Sequence, residues 1–151
     1  MKKASSSGRS KKAWTIGYEG RTFDHFLGIL RDSGIEQVID VRQRPLSRKN
    51  GYSKTALSQG LGKEAILYRH IRELGTPPSL RSAMKNGGTL KSLLDGYSRH
   101  LDKNEGAYRI LTSLIQAKTS AILCFEKDYT QCHRQILAER LEKDGLRVMH
   151  L

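Results

Sequence analysis

The chain has 151 residues with 27 Lys+Arg against 15 Asp+Glu, a formal charge of +12, and only 37% apolar residues. That length suits one domain. No apolar run approaches the roughly 18 residues of a membrane span, no apolar stretch follows the basic start as in a secretory signal, and two cysteines make no disulfide framework, so a cytoplasmic, basic protein without a membrane partner is expected.

In chain order, residues 1–12 (MKKASSSGRSKK) hold five basic residues, no acid and no apolar stretch, and read as a disordered tail. Residues 13–17 are β-prone and form a first predicted strand. The loop Gly17-Tyr18-Glu19-Gly20-Arg21 follows, with Thr22 placed to cap a helix. Phe23, Phe26, Leu27 and Leu30 recur at helical spacing before Gly34, and residues 37–41 (QVIDV) are too short for a helix and rich in β-branched side chains. Together these make a βαβ unit.

The middle carries a weaker signal. Arg44-Pro45 breaks the second strand, residues 46–52 read as a loop, 53–62 as a short helix and 66–71 as a third strand. Leu74-Gly75-Thr76-Pro77-Pro78 reads as a rigid turn, and 79–104 as short helices and loops. Tyr108, Leu111, Leu114 and Ile115 restore a helical stripe. Residues 119–125 form a buried strand, 131–144 a helix ended by Gly145, and 147–151 a last strand. The expected fold is therefore α/β, one domain over 13–151, with a mostly parallel sheet covered by helices on both faces.

A charge of +12 favours polyanionic partners, because phosphates neutralised by Lys or Arg release condensed counterions. No acid lies between Asp40 and Glu64, whereas Arg42, Arg44, Arg48, Lys49, Lys54 and Lys63 all do. Arg44, Arg48, Lys49 and Lys54 are thus candidate nucleic-acid contacts.

Ligands in such sheets sit beyond the carboxyl ends of the strands. That rule selects Tyr18 and Glu19 after the first strand, Asp40 and Arg42 at the second, Glu126 after residues 119–125, and Cys132-His133-Arg134 at the opening of the next helix. Asp40, Glu126, Cys132 and His133 are candidate catalytic residues, and Arg42 and Arg134 candidate anion holders. A thiol in a helix's first turn beside His and Arg has a stabilised thiolate, the setting of a nucleophile. The plainer reading pairs Asp40 and Glu126 with Arg42 and Arg134 to fix loops. Cys124-x7-Cys132-His133 matches no zinc-ligand spacing, with Cys124 expected in the sheet floor, so no metal is expected, and no cofactor is identified.

Thr15-Ile16-Gly17-Tyr18-Glu19-Gly20, then Asp40-Val41-Arg42 with Pro45, Ser47 and Arg48, then Leu74-Gly75, and finally Cys124-x-Glu126-Lys127-x4-Cys132-His133-Arg134 resemble domain-of-unknown-function family 488 from about residue 14 to 151. The resemblance implies an α/β fold and a rim of motif residues but no settled reaction. It adds Gly17, Tyr18 and Ser47 to the candidate substrate-binding residues. Three readings remain: an enzyme acting on a nucleotide or nucleic acid, a nucleic-acid-binding accessory module without chemistry, and a thiol-based transferase using Cys132. The last lacks the Cys-x5-Arg cradle of a cysteine phosphatase.

Overall fold

The computed structural model describes residues 11–151. Five strands, β1 (Lys12–Gly17), β2 (Gln37–Asp40), β3 (Leu67–His70), β4 (Ser120–Cys124) and β5 (Arg147–His150), form one sheet in the order β3-β2-β4-β1-β5, and every pairing is parallel. Six helices connect them: α1 (Phe23–Asp32), α2 (Lys54–Lys63), α3 (Pro78–Lys85), α4 (Leu90–Asp102), α5 (Glu105–Ala117) and α6 (Arg134–Lys143). The fold is α/β, as expected.

Each face of the sheet buries its own apolar set. Ile16, Val38, Ala121 and Leu123 pack with Phe26, Leu27 and Leu30 of α1 and Leu57 and Leu61 of α2. Ala13, Ile39, Ile122 and Cys124 pack with Tyr97 and Leu101 of α4, Leu111 and Ile115 of α5, and Leu137 and Leu141 of α6. Alternate residues of one strand serve opposite faces, which is the pleat expressed as packing.

The connections fix where a crevice opens. From β2 the chain runs through α2, on one face, outward to the edge strand β3; from β4 it runs through α6, on the other face, over β1 to β5. These connections diverge from adjacent strands, and the carboxyl edge between them is the topological switch point.

Several boundaries differ from expectation. β1 begins at Lys12, inside the expected tail, because Lys12 pairs with Arg147 and the Lys11 carbonyl accepts the Arg147 N–H at 2.8 Å; the rest of that tail, residues 1–10, lies outside the described residues. Residues 79–104 do hold helices joined by a loop, as expected: α3 starts at Pro78, which suits a first helical position, and the 13-residue α4 is capped by Thr89. The helix expected over 131–144 begins only at Arg134. Asp128 accepts from the Thr130 N–H at 2.9 Å and starts a separate 3-10 turn over Tyr129–Gln131, after which Cys132 is extended. Cys132 therefore precedes the helix rather than occupying its first turn.

Candidate functional site at the carboxyl edge

Register brings the strand ends level. Gly17 of β1 lies beside Cys124 of β4, and Asp40 of β2 lies between Leu123 of β4 and His70 of β3. Residues far apart in the chain thus meet on one rim, around a cleft of about 490 Å³. Arg42, Arg44 and Glu126 line it, with Cys124, Cys132 and His133.

On the β2 side, the Asp40 carboxylate is fully buried and completely engaged. Its Oδ1 accepts from the backbone N–H of Arg42 at 3.1 Å and from Arg42 Nε at 2.9 Å. Its Oδ2 accepts from Arg42 Nη2 at 2.8 Å and from the Tyr68 hydroxyl at 2.6 Å. Four donors occupy the four lone-pair sites of a carboxylate. Asp40 is therefore built to orient Arg42. Burial opposes the Arg42 charge, but the Asp40 carboxylate overrides it and holds the guanidinium above its ordinary pKa. Arg42 Nη1 also donates to the Tyr18 hydroxyl at 3.3 Å, and its guanidinium lies 5.3 Å from the centre of the Tyr18 ring. His70 Nε2 donates to the Arg42 carbonyl at 2.8 Å. Tyr68 and His70, two apart on β3, were not among the sequence candidates; the period-2 placement of both beside β2 is the signal that could have found them.

On the β4 side, Arg134 is 1% exposed and its guanidinium faces protein. Nη1 donates to Thr15 Oγ1 at 3.1 Å, Nη2 to the Glu126 carbonyl, and Nε to Cys132 Sγ at 3.3 Å. The expected pairing of Glu126 with Arg134 thus runs through the backbone of Glu126 and not its carboxylate. The Cys124 and Cys132 sulfurs are 2.9 Å apart, and Cys124 Sγ donates to Glu126 Oε1 at 3.7 Å. The thiol of Cys124 and the N–H groups of Arg134 hold Cys132 below its ordinary pKa against the effect of burial. Burial and the bond to Cys132 push Cys124 up. His133 Nε2 donates to the Val41 carbonyl at 3.0 Å, and burial lowers its pKa to about 4, so the ring is neutral at pH 7.

The other candidates separate. Tyr18 lines the cleft, stacked on Tyr52 with centroids 4.3 Å apart. Gly17 faces protein: a Cβ there would lie 1.7 Å from the Glu126 carbonyl oxygen, so only glycine lets the loop after β4 cross β1. Ser47 Oγ accepts from the Lys49 N–H, and its backbone exchanges hydrogen bonds with Ser53 Oγ, so it shapes the loop before α2. Arg48, Lys49 and Lys54 are exposed outside the cleft lining.

The far wall comes from the stretch that carried least sequence signal. Arg81, Met84 and Lys85 of α3 line the cleft with Thr76 before it and Leu93 of α4 after it. Leu46, Met84 and Phe125 expose apolar surface there, Phe125 being 44% exposed. Among the described residues no helix is long and apolar enough to cross a membrane.

A model of the family described as Domain of unknown function DUF488 matches residues 22–141. No curated protein and no solved structure matches the chain.

Proposed function

The chain belongs to the DUF488 family, and on that premise we propose that its carboxyl-edge cleft binds and acts on a phosphate-bearing ligand, a nucleotide unit either free or within a nucleic acid. The observation that carries this is the charge of the lining: Arg42, Arg44, Arg81 and Lys85 against the single acid Glu126. Apolar Phe125, Leu46 and Met84 beside those cations suit a flat base attached to the phosphate.

The roles follow from the hydrogen bonds. Arg42, preorganised by Asp40, presents a fixed cation to the phosphate without loss of side-chain freedom on binding. Asp40 is a positioning residue in this reading. Glu126 is the carboxylate left for proton transfer, because Cys124 Sγ is its only side-chain partner among the described residues. Arg134 acts by holding Thr15, the Glu126 backbone and Cys132 together.

Fluorescence anisotropy with labelled nucleotides and single-stranded oligonucleotides tests the reading. Each cleft cation removed costs a charge-assisted hydrogen bond of about 1.5–3 kcal/mol, so Arg44→Ala and Arg81→Ala should each weaken binding about tenfold or more. Binding unchanged by both substitutions would overturn it.

A further inference from the structure

We propose that Cys124, Cys132 and His133 bind a zinc ion whose fourth coordination position opens into the cleft. One ligand atom from each of the three residues lies within 4.8 Å of the other two, and all three side chains are buried. Two sulfurs and an imidazole are the donors that zinc prefers, and three protein ligands with one open position are the arrangement of catalytic rather than structural zinc.

The hydrogen bonds around the donors suit ligation, and the buried Arg134 guanidinium beside Cys132 favours its thiolate. A carbonyl can only accept, so the bond from His133 to the Val41 oxygen puts the ring proton on Nε2 and leaves Nδ1 with its lone pair. A ligating histidine typically donates its other N–H to such a carbonyl, which fixes tautomer and ring orientation. Cys132 Sγ accepts two N–H bonds from Arg134, each at 3.3 Å, as a thiolate does. All three residues also line the cleft, so a bound ion is reachable from solvent and by a ligand.

The fit requires a small movement. Zn–S bonds of about 2.3 Å in tetrahedral geometry separate two sulfurs by about 3.8 Å, against 2.9 Å between Cys124 and Cys132. Cys124 ends β4, and Cys132 lies in the extended residue between the 3-10 turn and α6, so the second can yield without breaking a helix. A disulfide is the competing use of the same sulfurs, but it gives no part to His133 or to the N–H groups on Cys132. Zinc uses all of them.

Cobalt(II) titration of the full-length, reduced protein tests the site without reference to any nucleotide, and therefore independently of the anion-binding reading. The expected result is saturation at one cobalt per chain, with thiolate-to-cobalt charge-transfer absorption, tetrahedral d–d bands, and displacement of the cobalt by one equivalent of zinc. Cys132→Ser and His133→Asn should each abolish or shift those bands while circular dichroism stays that of the parent, and Glu126→Gln should keep the charge-transfer absorption. Absence of these bands with both thiols titrating as free, their persistence unchanged in either Cys132→Ser or His133→Asn, or a protein that resists reduction because Cys124 and Cys132 are joined would each overturn the proposal.

Discussion

Asp40 grips Arg42 through two parallel hydrogen bonds, Oδ1 to Nε at 2.9 Å and Oδ2 to Nη2 at 2.8 Å, with both side chains buried. The pair is two residues apart in sequence, and the turn after β2 folds the guanidinium back onto the carboxylate. Removing one partner leaves an uncompensated buried charge, at a cost of about 3–5 kcal/mol. Asp40→Asn should therefore lower unfolding free energy by that order in urea titration. The double variant Asp40→Asn with Arg42→Met should lose less than the sum of the single losses, because neither charge then remains buried alone. Additive losses would show that the two act separately.

Gly17 tests how tightly the β4 loop crosses β1. Gly17→Ala would put a methyl group against the Glu126 backbone, which cannot swing aside as a long side chain can. Overpacking of this kind costs about 1–3 kcal/mol. A lower melting temperature is expected, together with weaker ligand binding, because Glu126 is carried on the displaced segment. An unchanged melting temperature would mean that the loop yields freely.

Arg48 and Lys49 lie outside the cleft and should behave differently from Arg44 and Arg81. If the exposed loop before α2 tracks a nucleic-acid backbone, Arg48→Ala with Lys49→Ala should reduce the log–log salt slope of duplex binding by about 2 units, at roughly 0.9 per phosphate contact. The loss should be similar for all sequences, and binding of a free nucleotide in the cleft should not change. A duplex slope equal to that of the parent would assign these charges to solubility.

Alkaline stability should depend on Tyr52. Burial pushes its hydroxyl up to about 12 from an ordinary 10, and the hydroxyl donates to the Arg21 carbonyl at 2.9 Å. Between those values the unfolded chain has released a proton that the folded chain retains, so stability falls as pH rises from 10 towards 12. Below pH 10 the contribution is fully present. Tyr52→Phe should cost about 1 kcal/mol at neutral pH through the lost hydrogen bond and should make the decline above pH 10 shallower in pH-dependent urea unfolding. An equally steep decline would place the alkaline transition at other groups, such as Tyr68 and Tyr97, whose hydroxyls burial also raises.

The amino-acid sequence alone determined the α/β class, the stripes of α1 and α5, the buried β4 and the rim positions of Tyr18, Arg42, Glu126, Cys132 and His133. Those features are local: hydrophobic period, strand-breaking residues and the placement of polar groups at strand ends are readable within a window of ten or so residues. What only the tertiary structure decided is which of those groups are spent on one another. Asp40 is saturated because Tyr68, 28 residues on, completes its set of donors. Arg134 turns inward because Thr15, 119 residues away, accepts from it. Cys124, read as part of the sheet floor, reaches Cys132 because β4 ends level with β1 and the 3-10 turn delays α6. The cations of α3 join the cleft through packing of the amphipathic middle segment, which carries no spacing that points to β2. Each of these depends on chain elements meeting in space, and their partners are too distant in sequence for any local pattern to specify.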